Sequence, residues 1–194
     1  AWVWGDWHSG KLGIATTSNK NTPYPVPLSD PNVWNKTQNK YYTSIQFAIN
    51  YADNNDVLVA YPGIYTENVD FNSVSSKVLT LKSANPADPL TVAQTIIKGS
   101  GDTVTFSDNN STINGFTITG GFYGVYCTGS SCAPTIKNCL IRNTTIAGVY
   151  CLDSSAPMIV NCIIKDNSHD AIFCSGAGQA KILNNMIVNN NSGG

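Results

Sequence analysis

FTITGGFYGVYCTGSSCAPTIKN, residues 116–138, runs directly into CLIRNTTIAGVYCLDSSAPMIVN (139–161) and CIIKDNSHDAIFCSGAGQAKILN (162–184). Each stretch is 23 residues long, with apolar, turn and Asn residues at matching places. A further copy begins at Met186 as MIVNNN, and looser versions precede them: QTIIKG (94–99), TVTF (103–106) and STINGF (111–116). Self-similarity at a fixed period is the mark of stacked structural repeats.

One period holds three short β-rich pieces separated by turn residues. In residues 139–161 they are Leu140–Ile141, Gly148–Cys151 and Pro157–Val160. Helical periodicity is absent. None of the pieces can bury a face alone, so each must stack on its copy in the next period. This predicts an all-β chain, a parallel β-helix with three strands per coil and about 4.8 Å between coils. Alternation along each strand assigns the faces. The inward ladders are Val125, Val149 and Ile172; Cys127, Cys151 and Cys174; Ile136, Ile159 and Ile182; Cys139, Cys162 and Met186; and Ile141, Ile164 and Val188. Two apolar ladders are left outside, Tyr126, Tyr150 and Phe173, and Leu140, Ile163 and Ile187. A solvated sheet face is ordinarily polar, so a chain segment or a partner must cover them. Asn138, Asn161 and Asn184 share one corner, where stacked amides can bond to each other and to turn backbone.

Working outward, residues 42–53 place Ile45, Ala48, Ile49 and Ala52 at helical spacing. A short amphipathic helix there would cap the open N-terminal end of the core. The expected organisation is a Trp- and Pro-rich arm (1–41), a cap helix (42–56) and about six coils of β-helix (57–194). The arm holds Trp2, Trp4 and Trp7, with Trp2 and Trp4 alternating with Ala1 and Val3 as a docking strand would; it either folds along its own solenoid, over the outward apolar ladders, or docks on another subunit or a sugar. No capping pattern follows the last repeat, so either coils continue or another molecule covers that end.

Composition narrows the function. Charged residues are 12% of the chain, against about 25% in typical domains. There is one Glu (Glu67), one Arg (Arg142), 23 Asn and a net charge of −1. No basic patch can track a phosphate backbone, which excludes nucleic acid as a partner. No long apolar run exists to span a membrane. The six cysteines contain no CxxC pair and have only His8 and His169 to assist, so no metal site and no cofactor are expected. They read as small buried residues, and disulfides between coil neighbours stay open. Ala1 fits the residue that follows signal cleavage. The triplets Asn35-Lys-Thr and Asn143-Thr-Thr match the N-glycosylation acceptor pattern, which carries weight in a eukaryotic source.

YPGIYTENVDF (61–71), VLTLKS (78–83), TIIKGSG (95–101), INGFTITGG (113–121) and APTIKNCLIRN (133–143) together resemble the secreted right-handed parallel β-helix repeat proteins of bacteria, within the pectate-lyase-like superfamily. The resemblance covers residues 42–190. It implies a right-handed coil and a secreted, extracellular location. It implies no single activity, since the superfamily holds lyases, hydrolases, adhesins and surface proteins. Ser168-His169-Asp170 is faintly similar to a segment of its galacturonan hydrolases, but there is no adjacent Asp pair and Arg142 is not followed by x-Lys. A hydrolytic pair would need Asp153 or Asp166 to meet Asp170 across about 5–9 Å. A lyase would need a base, for which Lys165 beside Asp166 and Asp170 is the candidate. The expectation is a non-catalytic structural or adhesive surface module. Its partner would be itself, head to tail through Trp2, Trp4 and Trp7, or an extracellular polysaccharide lying on Tyr126, Tyr150 and Phe173.

Overall fold

The computed structural model describes residues 2–5, 20–25, 32–74, 77–176 and 178–191. The chain divides into two units, Ala1–Asp30 and Pro31–Gly194. In the first, Trp2–Gly5 pairs antiparallel with Lys20–Pro25, with an irregularity between Val3 and Gly5. Trp2 and Trp4 therefore do lie on a strand, and that strand pairs within its own unit. Trp7 lies outside the described residues.

The second unit is a solenoid of five coils and most of a sixth. Each complete coil gives one strand to each of three sheets; one such coil is Thr135–Lys137, Leu140–Arg142 and Ala147–Cys151. The first sheet has eight strands, the second six and the third five. All pairings between coils are parallel and in register, as in Ile136↔Ile159, Ile141↔Ile164 and Val125↔Val149. The first sheet gains two strands from a hairpin, Val33–Asn35 and Lys40–Tyr42, whose inner strand pairs antiparallel with Val57–Ala60. Residues 33–41, expected in the arm, thus belong to the solenoid. The reason is physical: Val57–Ala60 would otherwise present an unpaired edge.

Helix α1 (Ile45–Tyr51) follows the hairpin. Ser44 caps it by accepting from the Phe47 N–H at 3.1 Å. The single Glu completes the end: the Glu67 carboxylate accepts from the N–H groups of Ile45 (2.9 Å) and Gln46 (2.8 Å), tying the helix to the first coil. Ile45, Ala48, Ile49 and Ala52 are all fully buried, as their spacing predicts.

The core follows the ladders. Leu81, Ile113, Ile136 and Ile159 have no exposure, nor do Ile97, Ile118, Ile141 and Ile164, nor Val104, Val125 and Val149. The last interval departs from expectation. Ile187 pairs with Ile164 and continues the inward ladder, Met186 pairs with Ile163 and continues the outward one, and Val188 pairs with Lys165. Asn185, not Met186, follows Cys139 and Cys162. Met186, Ile187 and Val188 were therefore each placed one residue out of register, which inverts their faces. The corner asparagines keep a strict 23-residue spacing through Asn184, and that spacing rather than hydrophobicity sets the register.

The corners explain much of the Asn content. Asn138, Asn161 and Asn184 have φ of 53–54°, and Asn143, Asp166 and Asn189 have φ of 53–55°. Asn and Asp tolerate this left-handed region better than other residues with a Cβ. Gly115 holds the Asn138 position one coil earlier with φ +83°, and a Cβ there would meet Pro86 at 2.4 Å. A stacked polar ladder does exist, at a place the sequence reading did not single out. Asn167 Oδ1 accepts from Thr144 Oγ1 (2.8 Å), and Asn167 Nδ2 donates to Asn190 Oδ1 (2.8 Å).

A second helix, α2 (Pro89–Gln94), lies in an insertion between the first and second sheets. Asp88 caps it, accepting from the N–H groups of Leu90 and Thr91 and from the Thr91 hydroxyl at 2.6 Å. The sequence reading missed this element. Its signal was the pair Asp88-Pro89, a capping side chain followed by a ring already set at helical φ.

Candidate functional site

The outward face of the third sheet carries the aromatic ladder. Tyr126, Tyr150 and Phe173 stand in register on adjacent strands, and Tyr123 joins them. Ring centroids are 4.4 Å apart for Tyr123–Tyr150 and 4.7 Å for Tyr150–Phe173, with interplanar angles of 28° and 11°. The strand spacing of about 4.8 Å matches a ring stack, and register sets Phe173 on Tyr150; on the other side the register partner Tyr126 lies at 6.0 Å and Tyr123 takes the nearer place. Both faces of Tyr150 are covered by other rings. Phe173 ends the stack, since no described strand follows it in the third sheet. Burial, helped by Tyr150, Asp102 and Tyr126, pushes the Tyr123 hydroxyl above the usual tyrosine value. Burial likewise raises Asp102, its in-register neighbour.

The aliphatic ladder on the second sheet runs Leu140, Ile163 and Met186. Among the described residues, the segment beside it is the α2 insertion. Pro86, Ala87, Pro89, Val92 and Ala93 form one wall of a groove of about 280 Å³, and Leu140, Ile163 and the corner residues Asn138 and Asn161 line the other side. Thr117 Oγ1 donates to the Val92 carbonyl at 2.9 Å and anchors the insertion to the sheet. The apolar row is thus partly covered by the chain's own loop.

Of the candidate catalytic residues, Lys165, Asp166, His169 and Asp170 share one corner, and Asp153 lies apart from them. Lys165 and Asp166 form a half-exposed ion pair at 3.1 Å, and Asp166 is a left-handed corner residue. His169 is exposed and Asp170 half-buried, both beside the same corner. Asp153 lies past the other end of the third sheet, where its carboxylate accepts from Thr128 Oγ1 (2.6 Å) and the Gly129 N–H (3.3 Å). Since Ala147 is the in-register neighbour of Asp170, the run from Ala147 to Cys151 separates Asp153 from Asp170 by about 13 Å or more at the rise of a strand. That exceeds the span of a two-carboxylate hydrolytic site. Among the described residues no group of three or more His, Cys, Asp or Glu is arranged to hold a metal ion.

All six cysteines are free thiols. Cys127 and Cys151 point inward and are buried, while Cys174, in register with them, is exposed because no described strand follows it in the third sheet. Hydrogen bonding to Cys132 and Cys151, together with burial, pushes the Cys127 thiol up. Burial and the neighbouring Cys151 raise Cys174 to about 11.

A three-sheet parallel coil with an apolar bore, capped by a helix and carrying stacked side chains outside, defines the class of right-handed β-helix proteins. Residues 48–194 match the family described as "Right handed beta helix region", and the chain belongs to it. The chain is also similar to a "Cell surface glycoprotein" of Methanothermus fervidus, 33% identical over 144 residues. That alignment covers 73% of this chain and 19% of the relative, so the chain spans about one fifth of that protein's length. No solved structure matches significantly. No described helix is long and apolar enough to cross a membrane.

Proposed function

We propose that this chain is a β-helix module displayed on a cell surface, where it acts as a non-catalytic structural or adhesive element. The similarity to a cell surface glycoprotein over most of the chain carries this reading. The geometry supports it: the aromatic ladder is engaged in its own stack, Asp153 and Asp166 serve corners, and Lys165 is paired with Asp166. Labelling intact producing cells with a membrane-impermeant amine reagent tests it. The protein is expected to be labelled without lysis; labelling only after lysis would overturn the reading.

The same reading extends to end-to-end association. Met186, Ile187 and Val188 are 58%, 41% and 38% exposed on the last described coil, an apolar surface open to a further coil or a second copy. The strand carrying Trp2 and Trp4 is the candidate docking element. Deleting residues 1–10 is expected to leave a folded protein that sediments as a monomer at concentrations where the full chain associates. Unchanged association after the deletion, or a full chain that stays monomeric, would remove the arm from this role.

A further inference from the structure

We infer that Asn143 carries a covalently attached N-linked glycan. This rests on the surface-module reading. Acceptor triplets of the form Asn-x-Ser/Thr begin at Asn35, Asn109, Asn110, Asn143 and Asn190, and the pattern alone is weak evidence. The fold separates them by the state of the amide nitrogen that a sugar must join.

Asn35 is fully buried, and its Nδ2 donates to Asp56 Oδ2 at 2.7 Å. Asn109 is 2% exposed, and its Nδ2 donates to the carbonyls of Phe71 (3.3 Å) and Lys77 (3.1 Å). Asn190 Nδ2 donates to the carbonyls of Ile164 (3.1 Å) and Val188 (3.3 Å) and closes the internal ladder through its Oδ1. A glycan at any of these would break bonds that hold the fold together. Asn110 is exposed, but its Oδ1 holds the Ala133 N–H at 2.8 Å, Ser111 after it is fully buried, and Thr112 is paired on both sides in the first sheet. That triplet is built into the wall.

Asn143 differs at the acceptor amide and at the hydroxyl residue. It is exposed on a left-handed corner with φ 55°, and its side-chain amide makes no hydrogen bond among the described residues. Thr145, the hydroxyl residue of the triplet, is also exposed, its Oγ1 donating to the Gly121 carbonyl at 3.1 Å, while Thr144 between them turns inward to Asn167. The triplet thus keeps its acceptor amide unbonded at the surface and its hydroxyl residue exposed beside it. A corner projects sideways from the coil, so sugars there leave both ends of the stack clear. In the transfer, Asn143 Nδ2 forms a bond to the anomeric carbon of a sugar carried on a polyisoprenyl phosphate. The bond from that carbon to the phosphate oxygen breaks, the lipid phosphate leaves with the electron pair, and Nδ2 gives up one proton.

The test uses protein isolated from the cells that make it. Trypsin cuts after Arg142 and Lys165 and releases residues 143–165, which contain this acceptor triplet and no other. Mass spectrometry is expected to find that peptide heavier than its sequence by a whole number of sugar residues. The increment should vanish in Asn143→Gln and Thr145→Ala and persist in Thr145→Ser, which keeps the acceptor hydroxyl. A bare 143–165 peptide, or sugar on another triplet with Asn143 bare, overturns the inference. If the bare protein is still labelled on intact cells, the surface-module reading stands without the glycan, so the two failures are distinguishable.

Discussion

Asp56 shows how few charges this fold needs and how fully it engages them. The carboxylate is 2% exposed and accepts from Asn35 Nδ2, Gln38 Nε2 and the Asp53 N–H at 2.7–2.8 Å. Burial alone would raise it, but the hydrogen bonds from Asn35, Asp53, Gln38 and Thr37 outweigh that and hold it below the ordinary value. A depressed carboxylate contributes stability that is present above its unfolded value, about 3.9, and lost as pH falls through the folded one. Asp56→Ala should cost roughly 1–3 kcal/mol in urea unfolding at neutral pH, because the buried donors lose their acceptor. The deficit should shrink in acid, where the native chain loses the same charge; a deficit independent of pH would contradict the sign. Asn161 gives a second test at this scale. With φ 53°, Asn161→Ala should cost about 1–2 kcal/mol while Asn161→Gly stays near neutral, since alanine keeps a Cβ in the left-handed region without the polar side chain that offsets it, and glycine removes the Cβ. Equal losses would mean that the amide, not the backbone, matters at that corner.

At the scale of elements, the α2 insertion and the coil behave as separable parts. Removing the cap with Asp88→Ala should cost about 1 kcal/mol, and the loss should be local. Hydrogen exchange should speed up over residues 86–94 while amides of Ile141 and Ile164 keep their protection. Acceleration throughout the second sheet would show that the insertion supports the coil rather than resting on it. The groove beside Leu140 and Ile163 should widen with the same change, since Val92 and Pro89 form its wall. The ladder Thr144–Asn167–Asn190 works the other way: it lies inside, where each unpaired amide would carry a desolvation penalty, so it couples coils rather than decorating one.

For the whole molecule, stacking makes accessibility a function of position along the axis. Cys127, Cys151 and Cys174 occupy one ladder, yet only Cys174 is exposed. Native thiol labelling should therefore be fast at Cys174 and slow at Cys127 and Cys151, a split read directly by mass spectrometry. Comparable rates at all three would mean that the coils open together. The two ends of the solenoid also differ in kind. The antiparallel hairpin and α1 cover the first, so the edge of the first sheet there is Lys40–Tyr42 rather than a coil strand. Association at that end would meet this strand and the exposed aromatic residues Tyr41, Phe47 and Tyr51.

The repeat by itself determined the three-strand coil, the inward ladders as far as Ile164, the buried positions of α1 and the corner places of the asparagines. Those features recur every 23 residues or every helical turn, and periodicity is a property that a linear string carries. The same 23-residue spacing sets Ile187 beside Ile164 and so inward, which the apolar run Met186–Val188 does not show by itself. Only the tertiary structure decided the rest. Glu67 found the end of a helix more than twenty residues earlier in the chain. The insertion, rather than any repeat, came to stand beside Leu140. Each of these depends on contacts between segments that share no period, and such contacts exist only once the coils are stacked.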